Sequence, residues 1–284
     1  MLCLRVAAPW LACVLFLASC SRSQELPSPA APRLSGHLTL GNPSGAVTDE
    51  RQPANYLLEK PQYALSYHRD RGIPNWVSWH LSSEWLGAAA RQDDFRPDPA
   101  LPAGWYRAGA ASYQGSGFDR GHQCPSADRT KSVADNSATF LMSNMVPQAP
   151  NNNQRTWAAL EDYCRTLVGQ GHELYIVCGA YGTGGTGSNG FASTIDQGRV
   201  TVPKRLWKVV VVLPVGDNDA ARVSAGTRVI AVDTPNENAV GSSWGPYRTS
   251  VDAIEAATGY DLLAAVATTV QATVEARVDN GPTQ

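Results

Sequence analysis

The sequence predicts an α+β domain with a mixed, largely antiparallel central sheet flanked by helices. Six apolar stretches rich in β-branched and aromatic residues recur along the chain, whereas few segments read as helices, and the two do not alternate strictly as βαβ units would. The composition supports a sizeable core: 43% of the 284 residues are hydrophobic, with 8 Trp, 10 Tyr and 5 Phe. Lys and Arg total 23 against 25 Asp and Glu, a net charge of −2, so no global basic field points to nucleic acid, although a local basic site is compatible with it.

The first element, MLCLRVAAPWLACVLFLASC, has one positive charge (Arg5), an apolar run from Ala7 to Ala18 and small residues ending at Cys20. It reads as an export signal, too short between its flanks for a comfortable membrane span. Leu17-Ala18-Ser19-Cys20 resembles the lipobox of bacterial lipoproteins. Residues 1–19 are therefore expected to be a lipoprotein signal peptide and Cys20 the lipidated first residue, anchoring the chain to the bacterial envelope, periplasmic or outer membrane; ordinary cleavage nearby, with secretion, is the alternative. Residues 20–36, with three prolines and no hydrophobic period, read as a tether. Neither an internal repeat nor a second linker interrupts residues 37–284, which are expected to form one domain.

Within that domain the expected strands are YALSYHR (63–69), NWVSWHLS (75–82), ATFLMSN (138–144), ELYIVCG (173–179), LWKVVVVL (206–213) and TRVIAVDT (227–234). The clearest helix is NNNQRTWAALEDYCRTLVGQG, where asparagines after Pro150 offer N-caps and Gly169 with Gly171 offers a stop. Two more helices are expected at about 252–258 and 261–277. The glycine-rich GAYGTGGTGSNG (179–190) follows a strand as a phosphate loop does, but no helix follows it to hold the phosphate, so it reads as turns. Three cysteines lie in the domain, Cys124, Cys164 and Cys178. With no Cys-x-x-Cys spacing and no nearby histidine pair, zinc is disfavoured.

At 100° per residue, Asn153, Trp157, Leu160, Glu161, Cys164 and Arg165 of the first helix share roughly 140° of arc. Polar groups bordering a buried stripe need partners. A boundary Glu161–Arg165 surface pair would explain them equally well from this helix alone. Upstream, GSGFDRGHQCPSADR (115–129) sets His122 among turn residues.

DRGHQCPSADRT, NMVPQ and NNNQRTWAALEDYCR together resemble the DNA/RNA non-specific endonucleases of the ββα-metal superfamily, and the resemblance extends over roughly residues 50–265. It implies a finger of strand DRGH, strand ATFLMSN and helix, with His122 as general base. It further implies Asn153 as the side chain that binds the metal directly, Glu161 as the acid that holds metal-bound waters, and Arg165 as a phosphate contact. The segment RQDDFRPDP supplies a second phosphate-contacting arginine, Arg91, with Arg96 in reserve. Asp119 and Arg120 either orient His122 and contact product or simply fix the turn. Mg²⁺, with Mn²⁺ as a substitute, suits a site with few protein ligands because it keeps several waters.

The activity implied is hydrolysis of DNA and RNA to 5′-phosphate and 3′-hydroxyl ends with little sequence preference, since phosphate contacts carry no sequence information. A phosphodiesterase for small nucleotides and a non-catalytic nucleic-acid-binding lipoprotein are the alternatives, and a protective inhibitor protein is a conceivable partner. Because the implied site joins their segments, a Cys124–Cys164 disulfide is expected, with Cys164–Cys178 the runner-up. His37, His68, His80 and His172 are expected to be structural or solvated, and Trp76, Trp79 and Trp85 to belong to the core rather than to stack on bases.

Overall fold

A computed structural model of the chain describes Leu2 and residues 36–284. Apart from Leu2 and Gly36, the expected signal peptide, Cys20 and tether lie outside the described residues. Among the described residues no helix is long and apolar enough to cross a membrane.

The described residues form thirteen strands: β1 (Tyr56–Glu59), β2 (Ala64–His68), β3 (Ile73–Leu81), β4 (Asp119–His122), β5 (Met145–Gln148), β6 (His172–Tyr181), β7 (Gly185–Gly187), β8 (Gly190–Ala192), β9 (Thr194–Ile195), β10 (Val200–Thr201), β11 (Arg205–Pro214), β12 (Arg228–Pro235) and β13 (Arg248–Thr249). Five α-helices accompany them: α1 (Val133–Ala138), α2 (Ala158–Gly169), α3 (Asp219–Arg222), α4 (Val251–Thr258) and α5 (Thr268–Val274). The central sheet has seven strands in the order β1-β2-β3-β6-β11-β12-β13, each paired antiparallel with its neighbour.

Its middle strands are largely apolar because both faces are covered. Leu206, Val210 and Val212 of β11 join Leu174, Ile176 and Cys178 of β6 in one core with Trp157, Leu160 and Cys164 from α2 and the residues leading into it. The alternate residues, Trp207, Val209, Val211 and Leu213, join Tyr175 and Val177 in a second core with Val251 and Ile254 of α4 and Val274 of α5. The period of two thus sends successive side chains to opposite layers. Lys208 stands on the first of these faces, among residues that bury hydrophobic groups.

Five of the six expected strands form. The exception is ATFLMSN: α1 and a short helical turn at Met142–Asn144 occupy it, and the strand follows as β5. Local side-chain bonds explain the difference. Asn144 donates to the carbonyls of Thr139 and Cys124 and accepts from the Cys124 N–H at 2.9 Å, closing turns where an extended ladder would otherwise form. The helix expected at about 252–258 is α4, started by Ser250, whose hydroxyl accepts from the Ala253 N–H, and ended by Gly259 at φ +75°. The helix expected over 261–277 shrinks to α5. Residues 261–265 instead bond outward, Asp261 N–H to the Pro43 carbonyl and Ala265 N–H to that of Leu40.

The expected Cys124–Cys164 disulfide is not formed, and neither is Cys164–Cys178; all three cysteines are free thiols. Each is wholly buried, burial pushes the Cys124 and Cys164 pKa values up to about 12, and they pack as small hydrophobic groups of the first core. Trp76 and Trp79 are wholly buried, and Trp85 packs against the first core.

Candidate active site

Strands β4 and β5 form a separate antiparallel pair that sets Asp119 opposite Gln148 and His122 opposite Met145. The chain reaches β4 through Gly115 and Gly117, whose φ values of +67° and +81° lie in the left-handed region that favours glycine. Gly121 is needed for another reason. A Cβ there would fall 2.2 Å from the side-chain oxygen of Gln148, so the two strands approach too closely for any other residue.

His122 packs edge-on against Phe140 and Phe95, with ring centroids 4.9 and 5.5 Å away. Its Nε2 is buried and has no hydrogen-bond partner among the described residues. Burial, then repulsion from Arg91 and Arg120, pushes the imidazole down from its ordinary 6.5 to about 3. The ring is therefore held neutral.

Asn153 comes from an unusual turn. Residues Asn152–Trp157 form a π-helical segment that runs directly into α2, so angles reckoned at 100° per residue do not carry across it. Its product is a pair of adjacent amides, Asn153 and Gln154, both donating to Asp119 Oδ2 at 2.8 and 2.9 Å. The amide nitrogen is thus committed, while Asn153 Oδ1 accepts no hydrogen bond among the described residues. Asn152 is structural, bonded to Gln148, Thr234 and Pro235.

Arg91, Phe95, Asp119, Arg120, Asn153 and Gln154 line one open cleft of about 600 Å³. Arg91 is anchored by Asp93 at 2.7 Å and Ser126 at 2.9 Å, and its guanidinium lies over Phe140. Arg120 lies over Phe95, 3.9 Å from the ring centroid. Arg96, the reserve candidate, is spent elsewhere: it bonds Asp94 and the Ser137 carbonyl.

Glu161 and Arg165 belong to a second group, and no hydrogen bond among the described residues joins it to Asn153. The two do not pair with each other. Glu161 takes Lys208 Nζ at 3.2 Å, and Arg165 takes Asp128 at 2.8 Å and Asp162. Asp128, itself buried, also accepts the Trp79 indole N–H at 3.0 Å. Lys208 is 1% exposed and sits over Trp157, 4.3 Å from the ring centroid. Burial works against its charge, but Glu161 together with its other neighbours, Asp128 among them, outweighs burial and raises its pKa. Neither Lys208 nor Asp128 emerges from sequence reasoning, although a lysine inside LWKVVVVL was the available signal: a charge in a strand buried on both faces must have a partner.

A model of the DNA/RNA non-specific endonuclease family matches residues 41–269. The chain belongs to that family. This endonuclease is 51% identical to a nuclease of Nostoc sp. (strain PCC 7120 / SAG 25.82 / UTEX 2576) over 272 residues, covering 95% of this chain and 96% of that one. It is 35% identical to nuclease C1 of Cunninghamella echinulata var. echinulata over 59% of this chain and 69% of that one, and 35% identical to human mitochondrial endonuclease G over 56% of each. A solved structure described as the EndoG/EndoGI complex superposes with a TM-score of 0.66 over 84% of this chain and 95% of that one; at 22% identity the likeness supports the α+β fold.

Proposed function

We propose that this endonuclease hydrolyses the phosphodiester bonds of both DNA and RNA to 5′-phosphate and 3′-hydroxyl ends, with His122 as general base. The observation that carries this reading is the cleft. It lines up two arginines and an amide oxygen without a protein partner, and the neutral imidazole of His122, whose Nε2 is unpartnered, lies buried behind this lining in edge contact with Phe95. Such a set grips phosphate and accepts a proton without reading a base.

The donors fit a hard cation such as Mg²⁺ or Mn²⁺: Asn153 Oδ1 offers an amide oxygen, and Asp119 lies beside it. Asn153 would hold the ion, with Glu161 as the further acid. Bound there, it would supply positive charge to the scissile phosphate as charge accumulates in the transition state. The chain's own residues do the rest. Arg91 and Arg120 hold phosphate oxygens by two-point contacts, and Arg165, pre-aligned by Asp128, extends the grip toward α2.

His122 becomes a competent base only when substrate arrives. A phosphate drawn to Arg91 and Arg120 cancels their repulsion, which adds to the larger effect of burial in depressing the imidazole, and displacing Arg120 from Phe95 would free that ring to move off His122. Both changes raise basicity toward working pH, where general-base catalysis is most efficient. Phe95→Ala should therefore raise the rate at low substrate concentration, and an unchanged or lower kcat/KM would contradict this gating.

End-group analysis tests the reaction itself. Fragments that polynucleotide kinase labels only after phosphatase treatment carry 5′-phosphates, as expected; fragments labelled directly would reverse the assigned polarity. The chain is further proposed to be exported and held by a lipid on Cys20, with residues 37–284 as the catalytic domain. Radioactive fatty acid should label the wild type but not Cys20→Ser.

A further inference from the structure

Five carboxylates among the described residues are buried: Asp98, Asp128, Glu173, Glu275 and Asp279. Four have a basic partner, namely Lys60, Arg165, Arg222 and Arg228 in that order. Glu275, 7% exposed, is the exception. Its Oε1 is buried with no hydrogen-bond partner, and the groups that act on it electrostatically are all acids, Glu255, Asp252 and Asp261.

Two of these acids face it directly. Asp252 and Glu255 stand three residues apart on α4 and so share a face, while Glu275 follows the last residue of α5. One oxygen from each of Asp252, Glu255 and Glu275 lies within 4.8 Å of the others. The backbone fixes this approach: Asp252 N–H donates to the Glu275 carbonyl at 3.1 Å, and Glu255 Oε1 accepts the Leu262 N–H at 2.8 Å. Asp261 adds a further negative charge from the turn after α4.

We propose that Asp252, Glu255 and Glu275 form a divalent-cation site, preferring Ca²⁺, that clamps α5 to α4. Carboxylate oxygens about 2.3–2.6 Å from a calcium ion lie roughly 3.3 to 5 Å from one another, which matches the observed spacing. Glu275, buried with only acids around it, is otherwise compatible with its burial only if protonated. The partial exposure of Asp252 and Glu255 leaves room for the waters that complete the shell. Calcium is favoured over magnesium because donors from two helices and no enforced octahedron suit its irregular coordination. The site shares no residue with the catalytic cleft, and Glu275 lies beyond the residues matched by the family model.

The test is thermal unfolding of the chelator-treated protein at pH 7.5, with and without 5 mM CaCl₂, in the wild type, Asn153→Ala, Glu275→Gln and Asp252→Asn. Calcium should raise the midpoint of the wild type and of Asn153→Ala by about 3–5 °C. It should do little for Glu275→Gln and give a reduced shift for Asp252→Asn, whose exposed side chain cannot disturb the core. Magnesium should shift the wild type less. An equal calcium shift in Glu275→Gln would overturn the proposal by placing the ion elsewhere. No shift in the wild type, with a higher midpoint at pH 5.5 than at pH 7.5, would overturn it by showing that a proton alone satisfies the cluster.

Discussion

On the face of the sheet that carries α2, buried charges come in matched sets: Lys208 with Glu161, Asp128 with Arg165. On the opposite face, α4 and α5 bury Glu275 among acids alone. The first arrangement is complete without any ligand, and its rigid pairs hold Glu161 and Arg165 in fixed positions. The second is incomplete and calls for a cation or a proton. Electrostatic completeness therefore separates groups that position other groups from groups that wait for a partner, and the same contrast recurs at the candidate site, where Asn153 Oδ1 and His122 Nε2 have no hydrogen-bond partner among the described residues.

The contrast is broken most severely at Lys208. Lys208→Met should cost about 3–5 kcal/mol of stability because it leaves the largely enclosed Glu161 carboxylate without its partner, and adding Glu161→Gln should recover much of the loss. Chemical denaturation of the single and double variants checks this, and equal destabilisation in both would mean that the pair is not coupled. Next in size is the cleft. Arg120→Ala should lower kcat/KM by about 10²–10³ through loss of transition-state charge stabilisation, whereas Arg96→Ala, held by Asp94 and Ser137, should leave it near wild type.

The smallest effect is the pH dependence of stability, and its sign differs between groups. His37 is pushed down to about 4 by burial, so its contribution is present above its ordinary pKa of 6.5 and is lost as pH falls through 4. Glu275 is pushed up to about 7, first by burial and then by its acidic neighbours, so its contribution is present below the ordinary 4.5 and is lost as pH rises through 7. Without metal, Glu275→Gln should flatten the alkaline decline of the unfolding midpoint and leave the acid one unchanged.

Much of this was legible in the sequence. The long strands announced themselves because both faces of β6, β11 and β12 are largely buried, which makes them mostly apolar. The finger's residues were legible only as a set, through DRGH and the spacing to Asn153 and Glu161. What failed depended on contacts distant in sequence or on small angular changes. ATFLMSN has strand composition, yet Asn144 closes its backbone locally, and 261–267 has helical composition, yet its amides bond to Leu40 and Pro43. The π-helical turn changed which side chains share a face. Two cysteines were expected to bond because their segments meet, but burial in one core keeps them as thiols. The depressed imidazole of His122 required knowing that two arginines and two phenylalanines surround it.

One assay decides most directly whether His122 and the cleft beside it cleave nucleic acid. Purified protein is incubated with supercoiled plasmid and with RNA, in Mg²⁺ or in EDTA, beside folded His122→Ala. Both nucleic acids should be degraded by the wild type in Mg²⁺, with no cleavage in EDTA and a rate about 10²–10⁴ lower in the variant. Cleavage that persisted undiminished in EDTA or in His122→Ala would contradict the assignment of this cleft as the catalytic site.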